Sequence, residues 1–175
     1  MSINKLSLAY FGGKKAITYK NPHWKWPPFS KEKYNSIKSY YLNGEQKNKK
    51  GYPKIVETFE KNFKNYQKRK YALSTNSGTS SLQAAFFAIG LKEGDEIIVP
   101  ALTFHATATP IFSTNAVPII ADCKSDTGNI DPASIKRLIT KKTKAVVITH
   151  LCGHPCDMDE IMKIVRNKKI FLIED

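Results

Sequence analysis

From about residue 71 onward, short apolar runs alternate with amphipathic segments that have polar ends. Three runs are continuously apolar: Ile97–Val99, Ala145–Ile148 and Ile170–Ile173. Strands of this kind are covered by helices on both faces, as in parallel sheets. The intervening segments have helical spacing and capping residues. We therefore predict an α/β fold with a mostly parallel sheet flanked by helices.

The same pattern predicts the individual elements of this region. Strands are expected at Tyr71–Thr75, Glu96–Val99, Val117–Ala121, Ala145–Thr149 and Lys169–Ile173. Helices are expected at Ser80–Leu91, at Phe104–Ser113 with a possible kink at Pro110, from Asp131-Pro132 to Ile139, and from Asp157 to Asn167. Asp131 followed by Pro132 is typical of a cap and first turn. Asp157 with Glu160 three positions later predicts a capping box.

The first 70 residues have a different character. Residues 20–30 are rich in proline and aromatic residues, which predicts an extended arm. A helix over about residues 31–42 is expected, followed by a second from Pro53 to about Tyr66 with one apolar face. We therefore divide the chain into an N-terminal arm with helices, residues 1–70, and an α/β region, residues 71–175.

The net charge of +13 lies entirely in the upstream part. Residues 1–75 hold 17 Lys and Arg against 4 Asp and Glu, whereas the remaining residues hold 11 of each. Clustered lysines can neutralise nucleic-acid phosphates. Here they are scattered among apolar residues, and Arg69 is the one arginine of this part, so base-reading side chains are scarce. We predict no nucleic-acid partner and instead a basic rim that attracts an anionic cofactor or a phosphorylated substrate.

No membrane partner is expected, because the longest apolar stretch, Ala84–Ile89, is far too short to cross a bilayer. The N-terminus lacks the long apolar core of a signal peptide. The three cysteines, an odd number, indicate reduced thiols. A cytoplasmic protein is the default expectation.

Three segments at the predicted sheet edge carry candidate chemistry. The polar turn Thr75–Ser81 precedes a helix, whose first amides and dipole favour a phosphate group. Phe104 follows a strand, at the edge where ligands of open α/β sheets bind. Glu174 and Asp175 follow the last predicted strand, where a carboxylate can pair with a cationic ring nitrogen. Taken singly, each also fits an ordinary structural role: a helix cap, a core aromatic, or a carboxylate at a strand end.

A metal site is a further candidate, because four potential ligands lie within seven positions: His150, Cys152, His154 and Cys156. Such nitrogen and sulfur ligands bind zinc. All four lie on one short connection and no second ligand pair occurs elsewhere, so a tetrahedral shell would be strained. We predict no metal.

Successive segments of the chain resemble one family, the DegT/DnrJ/EryC1/StrS family of pyridoxal-phosphate (PLP)-dependent sugar aminotransferases. The segments that carry the resemblance are Asn76–Leu82, Gly94–Pro100, Thr103–Thr107, Asn129–Asp131, His150–Asp159 and Ile173–Asp175. Each motif is short, but they occur in order over nearly the whole chain. The resemblance implies part of an aspartate-aminotransferase-like large domain, the PLP fold type I.

The resemblance also implies roles for individual residues. Gly78, Thr79 and Ser80 would hold the cofactor phosphate, Phe104 would stack on the pyridine ring, and Asp175 would bond the pyridine nitrogen. A carboxylate there keeps the nitrogen protonated, so that the ring accepts electrons. The family's Schiff-base lysine follows beyond residue 175. No catalytic residue is therefore expected in this chain, which is interpreted as a large domain truncated before that lysine.

The implied activity is transfer of an amino group from an amino acid, glutamate or glutamine, to a keto-sugar or cyclitol ketone by a homodimeric enzyme. Three alternatives stay open. The family includes sugar dehydratases, in which histidine replaces the lysine. The chain can be a truncated or split product that is inactive alone. It can also be a small α/β module for another phosphorylated ligand.

Overall fold

The computed structural model describes residues 9–15, 18, 29–44 and 46–175. They belong to two compact units, one ending at Thr58 and the other spanning Phe59–Asp175. The predicted arm at residues 20–30 lies outside the described residues except for its last two positions. Within the described ranges, every helix is too short or too polar to cross a bilayer.

The two upstream helices form as predicted. Helix α1 spans Lys31–Asn43 and α2 spans Lys54–Tyr66. The Ser30 side chain accepts the backbone N–H of Lys33 at 3.2 Å and so caps the first turn of α1. Gly44 follows the last turn with a positive φ of 71°, a conformation that glycine adopts without strain.

Among the described residues, four strands form one sheet in the order β2-β1-β3-β4, and every neighbouring pair is parallel. Their bounds are Glu96–Pro100 for β1, Val117–Ala121 for β2, Thr143–Ile148 for β3 and Phe171–Glu174 for β4. The parallel sheet confirms the fold predicted from the apolar runs. Three longer helices follow the pattern as well: α3 at Gly78–Ala88, α4 at Pro132–Leu138 and α5 at Met158–Lys168.

The two central strands, β1 and β3, are covered on both faces, which explains the apolar runs Ile97–Val99 and Ala145–Ile148. The third run, Ile170–Ile173, is not covered in this way, because β4 lies at the edge of the sheet and Phe171 is 52% exposed. Alternate residues of β1 and β3 pack into two separate cores because successive side chains point to opposite faces of a strand. One core contains the α3 residues Leu82 and Phe86 together with Ile97, Val99, Ala145 and Val147. The other contains residues of α4 and α5 together with Ile98, Val146 and Ile148.

Two predicted elements are wrong. Residues 71–75 form no strand: they pair with no strand of the sheet, and the backbone N–H of Ser74 instead donates to the Glu60 carboxylate at 2.7 Å. The helix predicted at Phe104–Ser113 is two 3-10 segments, His105–Thr107 and Thr109–Thr114. Pro110 accounts for the break, because its ring would clash with the carbonyl group of an α-helix four residues earlier.

The predicted capping box at α5 does not form. Asp157 occupies the cap position, but its side chain accepts no backbone N–H of the first turn. Its φ and ψ of −72° and 76° differ from the extended backbone that Asp131, at −82° and 117°, uses to cap α4. The Asp131 side chain accepts the backbone N–H of Ala133 at 2.9 Å, as predicted.

Candidate active site

An open cavity of about 420 Å³ lies where the carboxyl ends of β1, β3 and β4 meet the start of α3. We call it the edge cavity. It is defined by residues of the second compact unit alone: Gly78, Thr79, Leu82, Thr103, Phe104, Ala106, Thr149, Leu151 and Asp175.

The order of the strands explains why a cavity opens at this place. The chain leaves β1 for β2 on one side and leaves β3 for β4 on the other side. Because these connections diverge, a crevice forms outside the carboxyl ends of β1 and β3. Thr103 follows β1 and Thr149 follows β3, and both line the edge cavity.

The start of α3 presents backbone amides to the edge cavity. Ser77 caps the helix: its hydroxyl accepts the N–H of Ser80 at 3.1 Å, and its carbonyl accepts the N–H of Ser81 at 3.1 Å. The first amides of an α-helix have no acceptor within the helix. In the part of the chain that the structure describes, those of Gly78 and Thr79 have no protein acceptor. They therefore can serve an anion, with the helix dipole adding to the attraction.

Gly78 keeps space free at this helix terminus. A Cβ atom added there would meet no protein atom within 4 Å, so the protein itself does not require a glycine for packing. The position has no positive φ either. A side chain at this position would instead occupy open space beside the first amides of α3, where an anion would lie.

Phe104 offers an aromatic face to the edge cavity. Its side chain is 70% exposed, although it follows β1, whose last four residues are buried. The ring centroid lies 4.1 Å from that of His105, with an interplanar angle of 50°. Phe104 is therefore not buried in the core, which was the alternative role that its sequence position allowed.

Asp175 is fixed at the floor of the same cavity by two contacts. Its backbone N–H donates to the carbonyl of Ile148 at 2.8 Å, which extends the pairing of β4 with β3. Its carboxylate Oδ2 accepts a hydrogen bond from the hydroxyl of Thr107 at 2.5 Å. Thr107 is completely buried, whereas Asp175 is exposed, so the donor side of this bond is shielded from water.

Glu174, the other candidate carboxylate, has a different environment. Its Oε2 lies 3.2 Å from Nε2 of His150, and it does not line the edge cavity. Successive residues of a strand point to opposite faces of the sheet, which separates Glu174 from Asp175. Of the two adjacent carboxylates, only Asp175 belongs to the cavity.

Four of the five residues singled out in the sequence line one cavity: Gly78, Thr79, Phe104 and Asp175. Ser80 does not line it, and its hydroxyl oxygen lies 3.0 Å from that of Ser77 within the cap. Sequence reasoning gave no role to Thr103, Thr107 and Thr149. The available signal was the position of Thr103 and Thr149 just after parallel strands. Thr107 lies in the 3-10 segment His105–Thr107 and carried no such signal.

Two of the four residues considered as zinc ligands, His150 and Cys156, have other partners. Nδ1 of His150 accepts the backbone N–H of Cys156 at 3.0 Å, and the Cys156 thiol donates to the carbonyl of Thr149 at 3.2 Å. Among the described residues, no group of three or more His, Cys, Asp or Glu side chains is arranged to hold a metal ion. All three cysteines of the chain are free thiols.

A buried amide holds the loop after β3, which supplies two residues of the edge cavity. The Nδ2 group of Asn129 donates to the carbonyls of His154 and Pro155, both at 3.0 Å. Its Oδ1 accepts the backbone N–H of Leu151 at 3.1 Å. Asn129 is 3% exposed, and these three bonds fix the path of the loop at Leu151.

A model of the DegT/DnrJ/EryC1/StrS aminotransferase family matches residues 31–175. The chain belongs to this family. GDP-perosamine synthase of Escherichia coli O157:H7 is 40% identical over 120 residues, which are 69% of this chain and 33% of that protein. A putative L-glutamine:3-amino-2,3-dideoxy-scyllo-inosose aminotransferase of Micromonospora echinospora is 33% identical over 171 residues, 96% of this chain and 40% of that protein.

Solved structures of an aminotransferase and of a sugar dehydratase share the fold of this DegT/DnrJ/EryC1/StrS chain. An aminotransferase from Psychrobacter cryohalolentis superposes with a TM-score of 0.79 at 35% identity, covering 86% of this chain and 38% of that one. The E. coli GDP-4-keto-6-deoxy-D-mannose-3-dehydratase, solved with hydrated PLP, gives 0.74 at 31% identity and covers 85% and 39%. The chain spans about a third of the length of the first curated relatives it matches, 33%, 32% and 32%.

Proposed function

We propose that residues 31–175 supply the cofactor-binding part of a PLP-dependent aminotransferase. The whole protein would transfer an amino group from an amino acid, glutamate or glutamine, to a keto-sugar or cyclitol ketone. The observation that carries the proposal is the shared cavity of Asp175, Phe104 and the start of α3. Membership of the family and the names of its relatives support the reaction class.

The residues of the edge cavity fit the cofactor in three respects. The free amides of Gly78 and Thr79, with the open space beside Gly78, suit a phosphate group. The exposed ring of Phe104 suits stacking on a planar heterocycle. The carboxylate of Asp175, held at Oδ2 by Thr107, suits a protonated ring nitrogen.

When bound, PLP supplies an electrophilic carbon and an electron-accepting ring. The chain's own residues would bind, orient and charge that ring. Asp175 would hold the proton on the ring nitrogen, because a nearby carboxylate favours the cationic form. Phe104 would fix the ring plane, and the start of α3 would anchor the phosphate. Ser80 is proposed to assist at the phosphate, although its hydroxyl is paired with that of Ser77 in this structure.

Binding of pyridoxamine phosphate to the purified chain tests the proposal. This compound carries the same ring and phosphate as PLP but no aldehyde, so the many surface lysines cannot react with it. Asp175→Asn should weaken binding about tenfold, because a charge-assisted hydrogen bond is lost. Glu174→Gln is the matched control and should bind like the unaltered chain, since Glu174 lies outside the cavity.

Two results would contradict the proposal. One is that pyridoxamine phosphate does not bind. The other is that a generic sugar phosphate raises the melting temperature as much as pyridoxamine phosphate does. The second result would favour an α/β module for other phosphorylated ligands, since the aromatic ring would then contribute nothing.

A dehydratase is the second candidate, because a structural relative is a sugar dehydratase with a TM-score of 0.74. Both reactions use the same cofactor, so the edge cavity does not separate them. The assay is made on the whole protein that carries this sequence, with nucleotide-linked keto-sugars and glutamate. Formation of an amino sugar supports the aminotransferase, whereas loss of water from the sugar supports the dehydratase.

The assembly of the whole protein is also a proposal. The family resemblance implies a homodimer, and sedimentation of the whole protein tests it. The cytoplasm is the proposed location, as the sequence favours. The isolated chain should show no transamination. Among the described residues, the lining of the edge cavity contains no lysine that could form a Schiff base.

A further inference from the structure

Three threonine hydroxyls form a continuous chain that ends on Asp175. Oγ1 of Thr149 lies 2.9 Å from that of Thr103, which lies 2.7 Å from that of Thr107. Thr107 then bonds Oδ2 of Asp175 at 2.5 Å. This hydroxyl chain runs from the end of β3 to the end of β4. Thr103 and Thr107 belong to the connection that follows β1, whereas Thr149 follows β3.

The direction of the three hydrogen bonds follows from the chemistry of the groups. An ionised carboxylate accepts hydrogen bonds only, and each hydroxyl has a single proton to donate. Thr107 gives its proton to Asp175, so in the bond with Thr103 it is the acceptor. Thr103 has then used its own proton and accepts from Thr149. Each bond in such a series polarises the next one, so the two bonds among the threonines strengthen Thr107 as the donor to the carboxylate.

This arrangement leaves one carboxylate oxygen of Asp175 for a ligand. Oδ2 is occupied by Thr107, which is completely buried. Among the described residues, no donor bonds Oδ1. The backbone of Asp175 is fixed by its bond to Ile148, so the Thr107 hydroxyl determines the remaining freedom, rotation of the carboxylate about its side chain.

We propose that Thr107, supported by Thr103 and Thr149, is a positioning residue that orients Asp175 towards the ring nitrogen of the cofactor. This inference rests on the proposed function. Thr107 does not line the edge cavity and would act through Asp175 alone. If the Thr107 hydroxyl were merely structural, removing it would have an effect that does not depend on the ligand. A comparison of two ligands therefore distinguishes the two roles.

The experiment compares two ligands in a double-mutant design. Pyridoxamine phosphate carries the ring nitrogen, whereas its deaza analogue has a carbon atom in that place and is otherwise matched. Thr107→Val keeps the shape of the side chain and removes the hydroxyl. It should weaken binding of pyridoxamine phosphate about tenfold and leave binding of the deaza analogue within about twofold.

Two further variants test the series of threonine hydroxyls in more detail. Thr107→Ser keeps the hydroxyl and should restore most of the affinity lost in Thr107→Val. Thr149→Val lies two bonds away and should weaken pyridoxamine phosphate binding by about threefold, again without effect on the analogue. Thr143→Val is the matched control: Thr143 is a buried threonine at the opposite end of β3, and its hydroxyl accepts the N–H of Thr140.

The outcomes separate this inference from the proposed function. If the unaltered chain binds neither ligand, the proposed function fails. If it binds pyridoxamine phosphate but Thr107→Val weakens both ligands equally, or neither, the positioning role is overturned. Should Thr107→Val fail to fold, Thr107→Ser and Thr149→Val decide the question by the same comparison of ligands.

Discussion

The two ring nitrogens of His150 have separate partners: Nδ1 accepts the backbone N–H of Cys156, and Nε2 lies 3.2 Å from the carboxylate of Glu174. Because Nδ1 is an acceptor, the ring proton of a neutral imidazole resides on Nε2 and points at Glu174. The imidazole thus links the loop after β3 to the end of β4, directly beside Asp175.

Replacing His150 with alanine should therefore reduce stability. The substitution leaves the backbone N–H of the buried Cys156 without its acceptor. We therefore expect the free energy of unfolding to fall by about 1 to 2 kcal/mol. The contact with Glu174 should add little, because the two side chains are 29% and 48% exposed. Urea unfolding measures the change. His154→Ala, at an exposed position of the same loop, should change the free energy of unfolding by less than about 0.5 kcal/mol; equal effects would contradict the prediction.

Gly128→Ala should destabilise the protein through packing as well as backbone strain. Gly128 has a φ of +72°, and an added Cβ would lie 2.8 Å from Cδ2 of Leu151 and 3.2 Å from Cδ2 of Leu102. We expect a loss of about 2 to 4 kcal/mol. Gly94→Ala is the control, with a φ of +80° and no atom within 4 Å of its Cβ. Gly94→Ala should introduce backbone strain alone and lower the free energy of unfolding by about 1 kcal/mol.

A Gly128→Ala protein should also bind pyridoxamine phosphate more weakly, because Leu151 lines the edge cavity and must move. Titration at a temperature where both glycine variants are folded checks this. Equal affinities of Gly128→Ala and Gly94→Ala would show that the displacement of Leu151 does not reach the cavity.

Asn129→Ala should be among the more damaging substitutions of a polar residue. It removes three hydrogen bonds and leaves two carbonyls and one N–H of the loop without partners. We expect a loss of about 2 to 4 kcal/mol, because unsatisfied buried groups cost their full desolvation. Asn167→Ala, on the exposed side of α5, is the matched control and should cost less than about 0.5 kcal/mol. Hydrogen exchange at Leu151 should quicken only in the first variant.

The thiol of Cys156 should react slowly and make stability fall at alkaline pH. Burial raises its pKa, while a backbone hydrogen bond from Ile130 acts in the opposite direction. In the unfolded chain the thiol ionises above roughly pH 8.5, whereas in the folded protein its pKa is higher. The unfolded state therefore releases its proton first, and stability falls as pH rises through this range.

Two measurements check this prediction. Alkylation followed by mass spectrometry should label the exposed Cys152 well before Cys156. Cys156→Ala should flatten the dependence of stability on pH between about 8 and 10, after correction for its loss of packing. Labelling of Cys156 as fast as Cys152 in the folded protein would contradict the assignment.

The apolar runs predicted the sheet because Ile97–Val99 and Ala145–Ile148 are buried on both faces of the sheet. Such strands are continuously apolar, so their sequence does not alternate between apolar and polar residues. The segment at residues 71–75 misled because strand formation depends on a partner strand, which a local pattern does not reveal. The capping box of Asp157 failed for a related reason: the backbone angles at the cap are determined by the preceding loop.

In the candidate site, too, some features could be predicted from the sequence and others could not. Phe104 and Asp175 could be predicted because the resemblance and their position at strand ends both indicated them. The hydroxyl chain could not be predicted, because Thr103 meets Thr149 across 46 positions and Thr107 meets Asp175 across 68. Contacts at such separations depend on the register of the strands, and threonine is too common at strand ends to reveal them.

The same long separations mean that the cavity is absent from any partly folded state in which β4 is undocked. A ligand that requires Asp175 would bind the native state alone and stabilise it by mass action. Such a ligand would act as a chemical chaperone for the docking of β4 against β3, because it binds only after the two strands have paired.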